Sequence, residues 1–85
     1  METATEIGSI VRFHRRAAGL TQAELAKMAG VGKTVVFDVE KGKQSVQFDT
    51  LLKILDILNI KLEPTSPLMS EFLKTQSTRS NKASR

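Results

Sequence analysis

Five residues, GVGKT at positions 30–34, carry the strongest chemical signal in the chain. Phosphate-binding loops place Gly-Lys-Ser/Thr five residues after an earlier glycine, so that backbone N–H groups wrap a phosphate and the Lys reaches across it. Gly32, Lys33 and Thr34 supply the second half of that pattern, but Lys27 stands where the first glycine belongs. Nothing upstream reads as the buried strand that feeds such a loop, so a nucleotide cradle is not expected. His14 is the only histidine and has no second ligand or positioned partner nearby in sequence; a general base needs one. Cysteine is absent, which removes disulfides, thiolate metal sites and thiol nucleophiles. With no paired acid and base, no Ser–His arrangement and no cluster of metal ligands, the expectation is no catalysis, no metal and no cofactor.

The elements that position Lys33 and Thr34 must fit within 85 residues, room for one small domain whose core is marginal alone and gains from oligomerisation. Thirteen Lys and Arg against nine Asp and Glu leave a net charge of +4, which favours a polyanionic partner. The opening METATEIGS holds Glu2 and Glu6 and no long apolar run. Neither a signal peptide nor a membrane span is expected there, and a cytoplasmic protein is the default.

Ile7, Ile10, Val11, Ala17 and Ala18 recur at helical spacing before Gly19 and predict a first helix. Its Arg12, Arg15 and Arg16 lie near the last turns, where they complement the helix dipole. Thr21 followed by Glu24 forms a capping box for a second helix, with Leu25, Met28 and Ala29 inward and Gly30 as its left-handed stop. The β-branched run after Val31 would suit a strand, but Val36, Val39 and Glu40 fit a helix opened at Gly32 and closed by Gly42.

Asp49 is expected to cap a fourth helix whose stripe is Leu51, Ile54, Leu55 and Leu58. Leu52, Ile57 and Ile60 fall outside that stripe; they are covered either by a second subunit or by neighbouring helices of the same chain. Residues 60–64, IKLEP, alternate apolar and polar and read as a short strand, which with Leu62 pairs with its copy across a dimer. Ser66 and Pro67 open a small helix carrying Leu68, Met69, Phe72 and Leu73. From Thr75 onward the chain is polar and expected to be disordered. The reading is an all-α fold of four helices with a short C-terminal strand: residues 1–64 one compact domain that dimerises, 65–74 a short helical extension, 75–85 a disordered tail.

Two short helices meeting at Gly30, the second presented after a tight turn, describe a helix-turn-helix. Ala26 is small where the two helices touch, and Val36 and Val39 pack the second one inward. GLTQAELAKMAGV followed by VEKGK resembles the Xre, or phage-repressor and Cro-like, helix-turn-helix family. The compact form ending in IKLEP is similar to HipB-type antitoxins, which repress their own operon and pair with a HipA-type kinase toxin.

That resemblance implies roles residue by residue. Gln22 contacts a DNA phosphate at the start of the second helix. Lys33, Thr34, Val35 and Asp38 face the major groove, and Lys41 and Lys43 hold phosphates. Arg15 pairs with Glu40 as a structural ion pair. It also implies a homodimer on a double-stranded inverted-repeat operator, a bacterial, nucleoid-associated location and a HipA-type kinase partner. The chain departs from the family's pattern at three positions: Gly32 replaces a hydroxyl or amide residue, Lys33 a Gln, and Phe37 a polar residue. Val35 can touch a thymine methyl, Lys33 can donate to guanine, and Asp38 can accept from a cytosine amine although it repels phosphates. Phe37 is a surface hydrophobe, an interface residue or a groove contact. Two other readings share these residues: a free-standing Xre regulator without a toxin, and a protein-interaction module that binds DNA weakly and without sequence preference.

Overall fold

A computed structural model describes the backbone of residues 3–83 and the side chains of residues 4–76. The described chain is all-helical: α1 (Thr3–Ala17), α2 (Gln22–Ala29), α3 (Lys33–Glu40), α4 (Phe48–Ile57) and α5 (Met69–Ala83). Helix α3 packs against α1 and α2, and α2 also packs against α4; the core is Val11, Leu25, Ala26, Val36, Val39, Ile54 and Leu55. Burying each of the Val, Leu and Ile side chains contributes about 1.5–3 kcal/mol. Ile7, Leu20, Ala29, Val31, Val35, Val46, Leu51, Ile57, Leu58 and Ile60 close around that centre, half-buried.

The α2 boundaries follow their sequence signals. Thr21 accepts from the Glu24 backbone while the Glu24 carboxylate accepts from the Thr21 N–H, so both ends of the capping box are made. At the other end Gly30 sits at φ 72°, and the N–H of Val31 returns to the Ala26 carbonyl at 2.9 Å. Within α2, Leu25 and Ala26 are buried, but Met28, expected inward, is 56% exposed. A helix this short offers the core one narrow stripe, and Leu25 and Ala26 fill it.

Other elements differ from expectation. Helix α1 begins at Thr3, a turn before Ile7, because its first turn backs onto the Gly42 turn: a Cβ on Gly42 would lie 3.0 Å from Thr5 Cα. Polar residues make that contact, so hydrophobic periodicity is blind to it. Helix α4 is entered from Gln47, which makes no side-chain cap bond, and Asp49 lies inside the first turn, where its charge favours the helix N-terminus.

The strand expected at residues 60–64 does not form within this chain. The Ile60 N–H donates to the Leu55 carbonyl at 2.9 Å as the closing bond of α4, which turns out through Asn59 at φ 57°. Residues 61–66 run without regular structure, since an isolated strand has no ladder to join. Five helices stand among the described residues where four were expected. The fifth opens after a turn at residues 67–68, with the Met69 N–H on the Ser66 carbonyl, and continues past Thr75 as far as Ala83. Thr75 adds a side-chain bond to the Phe72 carbonyl at 2.7 Å. Of the tail, residues 84 and 85 lie outside the described residues.

Candidate nucleic-acid interface

Helix α3 can present side chains only because its opposite face is anchored. Val36 and Val39 are buried in the core, and Glu40 receives Arg15 from α1 through Nε at 2.6 Å and Nη2 at 3.1 Å. The Gln22 amide of α2 donates to the same carboxylate at 3.1 Å, and Arg15 also donates to the Leu20 carbonyl at 2.8 Å. The side chains of Arg15 and Glu40 are 12% and 4% exposed, so three helices are tied at one shielded point. Burial pushes the Glu40 carboxyl up, but hydrogen bonds from Arg15 and Gln22, with the charges of Arg15 and Arg12, outweigh it and hold the group below the ordinary carboxylate range. The hydrogen bond to Glu40 raises the Arg15 guanidinium, against the opposing cost of burial.

The outer face of α3 is different. Lys33, Thr34, Phe37 and Lys41 are exposed, and Asp38 is half-buried. Lys33 and Thr34 stand at the N-terminal turn behind Gly32, an extended N-cap without a side-chain bond. Phe37 is 46% exposed, and the Lys41 ammonium lies 5.2 Å from its ring centre. Asp38 is partnered at 3.5 Å by Lys43 beyond the helix end, which offsets its negative charge. Val35 is half-buried against the core. It borders a shallow cavity of about 250 Å³ shared with Asp38, Lys43, Val46 and Thr50.

A larger groove of about 490 Å³ opens where α1 ends and α2 and α3 begin, with Arg16, Thr21, Gln22, Ala23 and Lys33 on its walls. Gln22 therefore does two things: one amide hydrogen serves Glu40, and the second remains for the groove. Most of the residues singled out from sequence, namely Gln22, Lys33, Thr34, Phe37, Asp38, Lys41 and Lys43, thus belong to α3, its C-terminal turn and the start of α2. Ile57 and Ile60, expected at a dimer contact, are half-buried against the chain's own core, whereas Leu52 and Leu62 are 40% and 44% exposed. Sequence reasoning missed Gly8, whose close approach to α3 has no side chain to announce it, and Arg16, whose charge was assigned to the helix dipole. Among the described residues no three His, Cys, Asp or Glu side chains gather to hold a metal, and no helix is long and apolar enough to cross a membrane.

The sequence profile of the helix-turn-helix family matches residues 11–64, most of the chain and all of α2, α3 and α4. The chain belongs to the helix-turn-helix family. It is an Xre-type member, a DNA-binding transcriptional regulator in a family of regulators rather than of enzymes. It is 36% identical over 67 residues to the HTH-type transcriptional regulator y4mF of Sinorhizobium fredii, covering 79% of this chain and 88% of that one. It is 30% identical over 57 residues to the ImmF control region 10 kDa protein of Bacillus phage phi105, covering 67% of this chain and 63% of that one. Among solved structures, a chain of a HipA-HipB-O2-O3 complex superposes with a TM-score of 0.68 at 25% identity, over 75% of this chain and 90% of that chain. The helix-turn-helix body is thus shared with a phage control protein and with a HipB-containing assembly alike.

Proposed function

We propose that this helix-turn-helix protein is a homodimeric repressor of its own promoter and the antitoxin of a HipA-type kinase toxin. The observation that carries the DNA half is the division of α3: Val36, Val39 and Glu40 hold the helix, while Lys33, Thr34, Phe37, Asp38 and Lys41 are left for a ligand. Lys33 and Asp38 read base edges with Thr34 and Val35 beside them, and Gln22, Lys41 and Lys43 bind phosphates. Two copies place their α3 helices in successive major grooves of an inverted repeat, about 34 Å apart. The dimer forms through Leu52 and Leu62, with residues 60–64 pairing with their copy as a strand, which would satisfy backbone that has no ladder in one chain. The toxin half is supported by likeness to a chain from an assembly described as a HipA-HipB-O2-O3 complex.

A free-standing regulator without a toxin is the second reading, favoured by relatives described simply as transcriptional regulators. Binding to the protein's own promoter region, compared with unrelated DNA of equal length at several salt concentrations, tests the DNA half. A preference of about a thousandfold or more with a steep salt slope is expected. Equal, weak binding to both would sink it and leave the fold a scaffold for protein contacts. A kinase-like gene adjacent to this one, whose toxicity co-expression of this chain suppresses, separates the antitoxin from the free-standing regulator.

A further inference from the structure

Arg16 stands at the junction of two grooves that contain no carboxylate. One is the groove shared with Thr21, Gln22, Ala23 and Lys33; the other, about 560 Å³, runs along the outside of α1 between Ser9, Arg12, Phe13 and Ala17. Its neighbour Arg15 is committed to Glu40, and the ion pairs among the described residues are Arg15–Glu40 and Lys43–Asp38. Arg16 and Lys33 are both exposed and enter neither pair. Arg12 lies one turn before Arg16, about 6 Å along the axis on the same face.

We propose that Arg16 and Arg12 continue the DNA-backbone contact from the start of α3 outward along α1, each meeting a phosphate beyond the bases read by α3. This rests on the DNA reading above and extends it to residues that the family pattern does not assign. A polyanionic strand fits the track because cations line it from Lys33 through Arg16 to Arg12 with no acidic side chain on its walls, the nearby Glu40 being neutralised by Arg15. Arg delivers two parallel N–H donors to a phosphate, so the pair adds affinity without sequence preference.

The test uses the full chain carrying Arg16→Gln and Arg12→Gln, singly and together, with Lys33→Ala as control. Affinity for the promoter region and for unrelated DNA is measured between 50 and 200 mM salt. One lost phosphate contact makes the salt slope shallower by about 0.9 per half-site, about a 3.5-fold change in affinity over that range. Arg16→Gln is expected to weaken both DNAs by the same factor with that shift in slope, and the double variant to shift it further. Wild-type slope and affinity in Arg16→Gln, with Lys33→Ala impaired, would overturn the track on α1 and leave the DNA reading standing. No DNA binding by the wild-type chain would overturn both. Loss confined to the promoter would make Arg16 a base reader and overturn the backbone assignment. Unchanged DNA binding with loss of a co-purifying protein would make the face a protein dock and overturn the assignment too.

Discussion

The two faces of α3 obey opposite rules. Inward, Val36 and Val39 exclude water and Glu40 has every oxygen engaged, by Arg15 and Gln22. Outward, Lys33, Thr34, Phe37 and Lys41 are exposed, and the polar contact Asp38 makes is a 3.5 Å pair with Lys43, far looser than the 2.6 Å of Arg15 and Glu40. An eight-residue helix is marginal in isolation, so its aim is set by the face that reads nothing. Under the proposed function, the outer face is thereby free to vary with the DNA sequence it meets while the helix stays in place. Substitutions on one face are expected to move stability, and on the other binding, with little exchange between them.

The largest expected effect breaks the inward face. Glu40→Gln leaves the Arg15 charge shielded and unpaired and is expected to cost about 3–5 kcal/mol, read from the denaturant midpoint. The sign with pH follows from the depressed Glu40 carboxyl. Its contribution is complete above the unfolded value, roughly 4.3, and is lost as pH falls through the lower native value. The stability difference between wild type and Glu40→Gln is therefore expected to shrink progressively below about pH 4. A difference independent of pH would mean that the carboxylate is not what Arg15 recognises.

Next comes Gly8, where α1 crosses the end of α3. A Cβ there would collide with the Val39 carbonyl oxygen and lie 2.9 Å from that of Glu40. Both neighbours are backbone, so the helices must separate. Gly8→Ala is expected to destabilise, because overpacking against two backbone oxygens lies at the upper end of about 1–3 kcal/mol and exceeds the roughly 1 kcal/mol that Ala gains in helix propensity. A Gly8→Ala chain with a raised melting temperature would show that α1 can retreat without disturbing Glu40.

The outward face sharpens the comparison in the other direction. Lys33→Ala is expected to leave melting unchanged and to weaken promoter binding by about 1–3 kcal/mol if Lys33 donates to guanine. If Lys33 meets only phosphate, the loss is smaller, equal for all sequences, and accompanied by a shallower salt slope.

Much of this division was legible in the sequence, because the capping box at Thr21 and Glu24, the stop at Gly30 and the pair Arg15–Glu40 are local patterns or family motifs with geometric consequences. What escaped depends on chain crossings. The extra turn of α1 rests on Thr5 against Gly42, and Gly8 leaves room for a carbonyl, neither of which leaves an apolar period. Ile60 alternates with its neighbours as a strand residue does, yet its N–H closes α4. Alternation over five residues cannot distinguish a strand from a helix end followed by extended chain. Helix α5 continues through Thr75 although its polar residues offer no core stripe, since helical hydrogen bonding is satisfied within the segment whatever its surface.

Phe37 is where the two faces come closest to overlapping, and it carries the smallest expected effect. An exposed aromatic beside a cation is neither core nor base reader by composition: its ring is 46% exposed and Lys41 lies 5.2 Å from its centre. A cation held over a ring at such a site is worth about 0.5–1 kcal/mol. Phe37→Leu keeps an apolar side chain but removes the ring face, so stability is expected to fall by no more than that, while Lys41 loses the support that directs it along the helix end. Promoter affinity is then expected to drop about twofold to fivefold. The drop is expected to vanish in a Lys41→Ala background, because the ring acts through the ammonium. An equal loss in both backgrounds would instead make Phe37 itself a groove contact and move it fully onto the reading face.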